Sequence, residues 1–276
     1  MTQGHPAFYR KGEEMLQIEK LNVKAAILDM DGVLWRLTTP LVDLPQLFKL
    51  FTQNNVQVMF ATNNGTATID QYVKKLAGYG VNIESWQVVT SAMATGYALR
   101  QAFPAGGPVY IMGEQALHDT LKDFGFYHDT LSPQAVAAGL TRSLDYNMLK
   151  DTSLMIQKGL PFYFTNPDPT YPTPEGNIPG AGTFLAALET ASGVKAKLAG
   201  KPLPFLFELG MQRMKTTPSE TLVVGDRLDT DIQGGQDSGC KTAMVLTGIS
   251  TREEAENWQP QPDLVIDDVM GLFREA

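Results

Sequence analysis

Short apolar runs alternate with longer amphipathic stretches along most of the chain. Six of the runs end abruptly in polar or glycine residues, which is typical of buried parallel strands. Stretches with the period of a helix follow several of them, and this alternation predicts βαβ units around a parallel sheet. The runs are KAAILDM (24–30), QVMFAT (57–62), QVVTS (87–91), TLVVGD (221–226), KTAMVLTG (241–248) and DLVIDD (263–268).

A second alternating set occupies residues 93–196 and is long enough to form an α/β domain of its own. Its proline-rich stretch 166–180 cannot be a continuous helix or a central strand, so we expect a structured loop there. A chain of 276 residues also favours two lobes. The prediction is a doubly wound parallel-sheet, Rossmann-like α/β core (21–92 and 197–276), an inserted α/β domain (93–196) and an N-terminal extension (1–20).

Composition narrows the range of partners. The formal net charge is −8, which repels phosphodiester backbones and anionic lipid, so we expect neither nucleic acid nor membrane as a partner. The single cysteine, Cys240, excludes an intramolecular disulfide. The first twenty residues lack the apolar centre typical of a signal peptide, and no apolar run approaches the roughly 20 residues that could span a bilayer. These features predict a cytoplasmic protein.

The polar residues that could take part in catalysis or ligand binding lie in four short segments. They are DMDGVLW (29–35), TNN (62–64), GKP (200–202) and GDRLDTD (225–231), and three of them follow predicted strands. In a doubly wound sheet, ligands bind beyond the carboxyl ends of the strands. If the strands before Asp29 and Asp226 are neighbours, their carboxylates converge and require a hard cation with oxygen ligands. We therefore predict Mg²⁺ there, with Asp226 as a ligand.

An aspartate nucleophile remains after the other nucleophiles are considered. The three histidines lie outside the four segments, no G-x-S-x-G motif is present, and Cys240 has no matched partner. Attack by Asp29 on phosphorus would form an aspartyl phosphate. Asp31, two residues further on, could protonate the leaving oxygen and then deprotonate water.

The remaining segments supply groups for an anion. Thr62, followed by Asn63 and Asn64, ends a strand and leads through NNGT into a predicted helix, TIDQYVKKLAGYG (68–80), so that its hydroxyl and the next amides are expected to cradle phosphate at a helix N-terminus. Lys201 precedes Pro202, a residue favoured in the first turn of a helix, which would direct the lysine towards Asp29.

Four side chains leave alternatives. Asp229 and Asp231 either support the metal ligands from behind or cap a helix, and Asp231 is favoured for the supporting role. Tyr171 in the proline-rich loop is the candidate for contact with substrate, the alternative being an exposed tyrosine without a role. Trp35 is expected to pack beside the crevice rather than to contact substrate.

Together these segments resemble the haloacid dehalogenase (HAD) superfamily, and more narrowly its NagD-like or p-nitrophenylphosphatase branch. The resemblance extends from about residue 22 onward and rests on six blocks, which are DMDGVLW, ATNN, FTNPD, PGAGTFLAALE, LAGKP and VVGDRLDTDI. It implies that Asp29 is the nucleophile and Asp31 the acid/base. It also implies a metal held by Asp29, Asp226 and the main-chain oxygen of Asp31, and a phosphoryl group held by Thr62 and Asn63 and steadied by Lys201.

The resemblance further implies Mg²⁺-dependent hydrolysis of a small phosphorylated metabolite beneath a cap formed by the inserted domain, and it makes a homodimer plausible. The presence of Asp31 argues against dehalogenase activity, because the dehalogenase relatives lack this second acid. Two alternatives stay open, which are transfer of the phosphoryl group to a sugar hydroxyl and a non-catalytic regulator that binds a phosphometabolite. One departure is visible, because Leu37 stands where the branch usually carries glycine.

Overall fold

The computed structural model describes residues 15–173 and 175–275. Most strands belong to two parallel sheets, and two antiparallel hairpins account for the rest. In chain order the strands are β1 (Ala25–Leu28), β2 (Trp35–Arg36), β3 (Thr39–Pro40), β4 (Gln57–Thr62), β5 (Val88–Thr90), β6 (Gly107–Met112), β7 (Phe126–His128), β8 (Val136–Ala138), β9 (Phe162–Phe164), β10 (Thr170–Thr173), β11 (Gly176–Pro179), β12 (Lys197–Leu198), β13 (Thr221–Gly225), β14 (Lys241–Val245) and β15 (Leu264–Ile266).

The helices connect successive strands and cover the sheets. In chain order they are α1 (Gln17–Leu21), α2 (Leu44–Gln53), α3 (Ile69–Gly78), α4 (Ser91–Ala102), α5 (Gln115–Asp123), α6 (Tyr146–Gln157), α7 (Ala181–Ser192), α8 (Phe205–Met214), α9 (Gln233–Asp237) and α10 (Arg252–Asn257). Short 3₁₀ turns lie at Ser85–Gln87, Pro218–Glu220 and Val269–Phe273, and a π-helical turn at Leu228–Ile232 leads into α9.

The larger sheet has the strand order β15-β14-β13-β1-β4-β5, and its neighbouring strands are parallel. From β1 the chain builds outward to β4 and β5, and the later strands then add on the other side of β1. Leu28 pairs with Val224 of β13 and with Phe60 of β4. The carboxyl ends of β13, β1 and β4 therefore lie side by side, at the point where the strand order reverses.

Both faces of this sheet are buried, which explains why its strands are almost continuously apolar. Alternate residues point to opposite faces. Ile27 belongs to the hydrophobic cluster formed with α4 and α8, whereas Leu28 belongs to the cluster formed with α2 and α3. The doubly wound arrangement predicted from the sequence is present.

The second sheet has the order β12-β9-β8-β6-β7, with parallel neighbours. Helices α6 and α7 cover one face, and α4 and α5 pack on the other. The proline-rich stretch contains the β10–β11 hairpin, which the sequence did not predict. The expected boundary at 92/93 falls inside α4, and β12, expected in the core, pairs with β9.

The expected N-terminal extension lies mostly outside the described residues. Its described part packs on the core, because Leu16 forms a bridge with Glu275 and Ile18 is buried. Within residues 15–173 and 175–275, no helix combines the length and the apolar character needed to cross a bilayer.

Candidate active site

Three aspartates converge where β1 and β13 end. Asp29 follows β1 directly, and its N–H donates to Val224 O at 2.8 Å. Asp226 follows the neighbouring strand β13, and Asp231 lies in the π-helical turn after it. One carboxylate oxygen from each of Asp29, Asp226 and Asp231 lies within 4.8 Å of the other two. The strand ends thus bring together the carboxylates that the sequence expected to meet.

Lys201 joins two of these carboxylates. Its ammonium donates to Asp29 Oδ1 at 2.5 Å, to Asp231 Oδ1 at 2.6 Å and to the main-chain oxygen of Ala61 at 3.1 Å. The side chain is buried. Burial alone would lower the pKa of Lys201, but the carboxylates of Asp231 and Asp29 hold that pKa above its usual value. The lysine therefore stays charged between the two acids.

The site gathers three carboxyl groups around one ammonium. Burial raises the pKa of the Asp29 carboxyl, and the Lys201 ammonium counteracts this. Burial, together with the nearby Asp231, raises the pKa of Asp226 to about 7. Three carboxylates share one close ammonium, and their oxygens are the donors preferred by hard divalent cations. The residues present therefore fit a Mg²⁺ ion.

Two glycines make room for Asp226. A Cβ at Gly32, where φ is +84°, would lie 2.5 Å from Asp226 Oδ2, and a Cβ at Gly248 would lie 1.8 Å from the same oxygen. That oxygen accepts a hydrogen bond from the Ile249 N–H at 2.8 Å. Side chains at these two positions would displace the carboxylate, so the glycines define where it sits.

Asp31 lies at the crevice wall and contacts Trp35. The indole Nε1–H of Trp35 donates to Asp31 Oδ1 at 2.9 Å. Trp35 is fully buried, so it packs beside the crevice. Asp31 keeps an open side towards the crevice, yet desolvation by the crevice walls raises its pKa, with Lys75 as the main opposing charge.

The three residues expected to hold phosphate have distinct surroundings. Thr62 is buried at the end of β4, and its Oγ1 accepts from the Asn64 N–H at 3.1 Å. Asn64 Oδ1 accepts from the N–H and the hydroxyl of Thr66. The Asn63 amide bonds to Lys201 and Asp168. The two asparagine side chains are thus engaged within the protein.

The helix predicted over 68–80 is α3, and a turn lies between it and Thr62. Asn64 closes a side-chain turn onto Thr66, and Thr68 then caps α3, which starts at Ile69. The predicted helix over 68–80 is confirmed, but the turn between Asn64 and Thr68 separates its N-terminus from Thr62, so the expected phosphate cradle at a helix N-terminus does not form at Thr62. Any phosphate cradle at the end of β4 has to use the turn itself.

The expected role of Pro202 is also wrong. Helix α8 begins at Phe205 with Pro204 as its N-cap, so Pro202 is not in its first turn. Instead, the main chain of Lys201 is bound by Asn63. The Lys201 N–H donates to Asn63 Oδ1 at 2.8 Å, and Asn63 Nδ2 donates to the Lys201 carbonyl at 3.1 Å.

Asp231 and Asp229, which the sequence could not separate, face different surroundings. Asp231 is buried and accepts from Lys201 and, through Oδ2, from the Arg227 N–H at 3.2 Å. Asp229 has a largely exposed side chain and forms a two-bond pair with the Arg227 guanidinium. The π-helical turn directs Asp231, rather than Asp229, towards the site.

The crevice above these groups lies between the two sheets and has a volume of about 860 Å³. Residues of the larger-sheet lobe form its floor, and the inserted segment contributes the opposite wall. Tyr171 of β10 and Asn177 of β11 line it, as do Leu140 and Arg142 after β8. The hairpin inside the proline-rich stretch thus faces the site, and Tyr171 lies where the sequence placed a substrate contact.

Sequence reasoning missed Asp168, which also lines the crevice. Its Oδ1 accepts from Asn63 Nδ2 at 3.3 Å, and the neighbouring Asn166 donates to the Asn63 carbonyl at 2.7 Å. Burial raises the pKa of Asp168, and Arg227 opposes this shift. The available signal was its position shortly after the apolar strand FYF, because acids after parallel strands were the criterion for Asp29 and Asp226.

Comparison with protein families gives two matches. Residues 26–127 match a family described as haloacid dehalogenase-like hydrolase, and residues 198–272 match one described as HAD-hydrolase-like. The segment between them contains β8 and β9 of the second sheet and the β10–β11 hairpin. Both matches fall largely on the elements that carry the aspartates and Lys201.

Individual relatives align over nearly the whole chain. The 5'-nucleotidase YutF of Bacillus subtilis is 30% identical over 246 residues, covering 89% of this chain and 96% of the relative. A glycerol phosphate phosphatase of Mycobacterium tuberculosis, crystallised with magnesium, superposes with a TM-score of 0.88 at 30% identity and covers 95% of this chain and 79% of the other. NagD of E. coli superposes with a TM-score of 0.84 at 30% identity, and the match covers 90% of this chain and 97% of NagD.

Proposed function

This chain belongs to the haloacid dehalogenase-like hydrolases, and we propose that it is a Mg²⁺-dependent phosphatase that hydrolyses a small phosphomonoester through a phosphorylated Asp29. One observation carries the proposal. The Lys201 ammonium bonds to Asp29 at 2.5 Å and to Asp231 at 2.6 Å, while Asp226 lies within 4.8 Å on the next strand end. This arrangement supplies a nucleophile, a fixed positive charge and a set of cation ligands in one place.

Asp29, Asp226 and the main-chain oxygen of Asp31 would hold the ion, with Asp231 behind them. Bound Mg²⁺ supplies positive charge that neutralises the oxygens of the phosphoryl group. The support for this ligand set is the cluster of carboxylate oxygens, together with the glycines that seat Asp226.

The reaction then proceeds in two displacements. A carboxylate oxygen of Asp29 attacks phosphorus, the bond between phosphorus and the ester oxygen breaks, and Asp31 gives its proton to the leaving oxygen. Water next attacks the phosphoryl group on Asp29 and loses a proton to Asp31, while the bond from Asp29 to phosphorus breaks. Inorganic phosphate leaves, and both aspartates return to their starting states.

Lys201 orients the nucleophile in this scheme. Its bond to Asp29 Oδ1 fixes the carboxylate and leaves attack to the other oxygen. Its second bond, to Asp231, and its contact with the Ala61 carbonyl hold the ammonium in place. The hydroxyl of Thr62 can donate to a phosphoryl oxygen, and we assign it to phosphate binding, with the main chain of Asn63 and Asn64 alongside.

The substrate is a small phosphorylated metabolite. The crevice volume of about 860 Å³ suits a compact ligand, and its far wall carries the polar groups of Tyr171, Asn177 and Arg142. Relatives act on different molecules of this class, since one is a 5'-nucleotidase and another a glycerol phosphate phosphatase. We propose that the inserted lobe closes over the crevice and selects the leaving group through these residues.

A panel of phosphorylated sugars, polyols and nucleoside monophosphates, assayed for phosphate release with Mg²⁺, tests the proposal. We expect turnover of at least one member, ranked by kcat/KM, and none after Asp29→Asn. Assays with an added alcohol acceptor separate hydrolysis from phosphoryl transfer, because transfer would give a new phosphate ester. Binding of a metabolite without any turnover would instead identify a regulator and contradict the proposal.

A further inference from the structure

The carboxylate of Asp31 is held by a side chain that the proposed reaction does not use. Trp35 Nε1–H donates to Asp31 Oδ1 at 2.9 Å, and the backbone supports this contact because the Gly32 N–H donates to the Trp35 carbonyl at 2.8 Å. The geometry of the acid therefore depends on where the indole ring and its loop lie.

One face of that ring carries a cation. Lys75 of α3 places its ammonium 3.9 Å from the centroid of the Trp35 ring, within the range of cation–π attraction. The same ammonium donates to the carbonyl of Leu37 at 3.1 Å. Lys75 thus touches both the ring and the chain two residues beyond it.

The residue that caps the end of α3 binds the same loop. Tyr79, four residues after Lys75, donates its hydroxyl to the Thr38 carbonyl at 2.7 Å, and its ring centroid lies 5.9 Å from that of Trp35. Leu37 has a φ of +58°, a conformation that leucine rarely adopts, so the turn between β2 and β3 needs such external contacts. Helix α3 fixes this turn from outside.

We propose that Lys75 is a positioning residue for the general acid, acting through Trp35: it holds the indole ring and the Leu37 turn so that Asp31 meets the leaving oxygen. This inference rests on the proposed function, because it assigns Lys75 to the proton transfer of the first displacement. Lys75 itself touches neither the reacting atoms nor, in this assignment, the phosphoryl group. Lys75 also lines the crevice.

Leaving-group dependence provides a readout that a purely structural role would not change. Substituted phenyl phosphates have nearly equal size but differ in how much the leaving oxygen needs a proton. A misplaced acid slows poor leaving groups far more than p-nitrophenolate. The experiment measures kcat/KM for p-nitrophenyl, phenyl and p-methylphenyl phosphate with the wild type, Lys75→Met, Lys75→Arg and the matched control Lys74→Met.

We expect Lys75→Met to lower kcat/KM about tenfold more with phenyl phosphate than with p-nitrophenyl phosphate. This difference is smaller than the full contribution of a general acid. Lys75→Arg should recover most of this difference, since arginine can reach the ring and the carbonyl. Lys74, exposed on the same helix, should give wild-type values after Lys74→Met. A second variant, Trp35→Phe, keeps a ring but removes the donor to Asp31 and should show the same selective loss.

An equal loss for all three substrates, an effect on KM alone, or no loss in a folded Lys75→Met would overturn the inference. A selective loss in Lys75→Met without one in Trp35→Phe would also contradict it, because Lys75 would then act without the indole. Thermal unfolding of each variant establishes that it is folded. Failure of the proposed function has a different signature, which is turnover that persists in Asp29→Asn.

Discussion

Asn63 and Lys201 are joined by a reciprocal pair of hydrogen bonds, although they lie on different segments of the chain. The Lys201 N–H donates to Asn63 Oδ1 at 2.8 Å, and Asn63 Nδ2 donates to the Lys201 carbonyl at 3.1 Å. The side chain of Lys201 then extends to Asp29. The asparagine therefore determines where the lysine backbone lies, and through it where the ammonium meets the nucleophile.

Removal of this pair should destabilise the fold and slow the reaction. Asn63→Ala leaves two buried main-chain groups of Lys201 without their partner, which should lower the free energy of unfolding by about 2 kcal/mol. Urea unfolding measures this, and phosphate release should show a lower kcat. Asn64→Ala is the comparison, because it removes only an exposed turn contact to Thr66 and should cost about 0.5 kcal/mol. Equal effects of the two variants would contradict the assigned role of Asn63.

Mg²⁺ should stabilise the wild type through Asp226. An ion that binds only the folded state raises the unfolding temperature as its concentration rises above the dissociation constant. Asp226→Asn removes one charged ligand, so the increase in Tm on Mg²⁺ addition should become much smaller. Asp229→Asn, whose side chain is directed at Arg227, serves as the control and should keep the wild-type increase. A full Mg²⁺ response in Asp226→Asn would exclude this aspartate as a ligand.

Asp168 should contribute to substrate turnover although the sequence analysis gave it no role. It accepts from Asn63 and lines the crevice, so its loss removes a charge-assisted hydrogen bond next to the site. Asp168→Ala should lower kcat/KM by about tenfold, corresponding to roughly 1.4 kcal/mol. Steady-state kinetics on the best substrate of the panel provide the value. Unchanged kcat/KM in a folded variant would show that the contact is dispensable.

The second sheet should become less stable as the pH falls below the ordinary histidine value. Burial lowers the pKa of both His118 and His128, whose rings lie 5.6 Å apart, and His128 Nδ1 accepts the Ile111 N–H at 2.9 Å. The unfolded chain then binds more protons than the folded one below 6.5. The stability that the neutral histidines contribute is fully present above pH 6.5, and it is lost as the pH falls through their lowered pKa values.

The double variant His118→Gln, His128→Asn isolates the histidine contribution, since asparagine can still accept from the Ile111 N–H. Thermal unfolding at about pH 7.5 and about pH 5.5 should show a larger drop in Tm for the wild type than for the double variant. A drop of equal size in both proteins would mean that other groups determine the acid sensitivity.

The sequence predicted those parts of the molecule that follow from hydrophobic periodicity. QVMFAT became β4 with the expected bounds, and the superfamily, the doubly wound fold and the enzyme class are confirmed by relatives and structural neighbours. The convergence of Asp29 and Asp226 could be anticipated because the carboxyl ends of adjacent parallel strands share one edge. The domain boundaries and the individual residue roles stay predictions.

Features that depend on contacts between distant segments could not be predicted. The support of Lys201 by Asn63 joins residues 138 positions apart, and no local pattern reports it. The helix over 68–80 was predicted correctly, but the turn that Asn64 closes onto Thr66, which separates Thr62 from the helix N-terminus, was not. The sequence showed that Leu37 stands where the family usually has glycine, but it did not show the backbone conformation there. The leucine adopts a φ of +58°, so the loop keeps a left-handed turn.

Trapping of the phosphorylated enzyme tests the central claim most directly. Borohydride reduces an aspartyl phosphate to homoserine, which peptide mass spectrometry locates along the chain. We expect homoserine at position 29 when the wild type turns over substrate with Mg²⁺, and none without substrate or after Asp29→Asn. Continued turnover with an unmodified Asp29, or with the modification at another aspartate, would contradict the account.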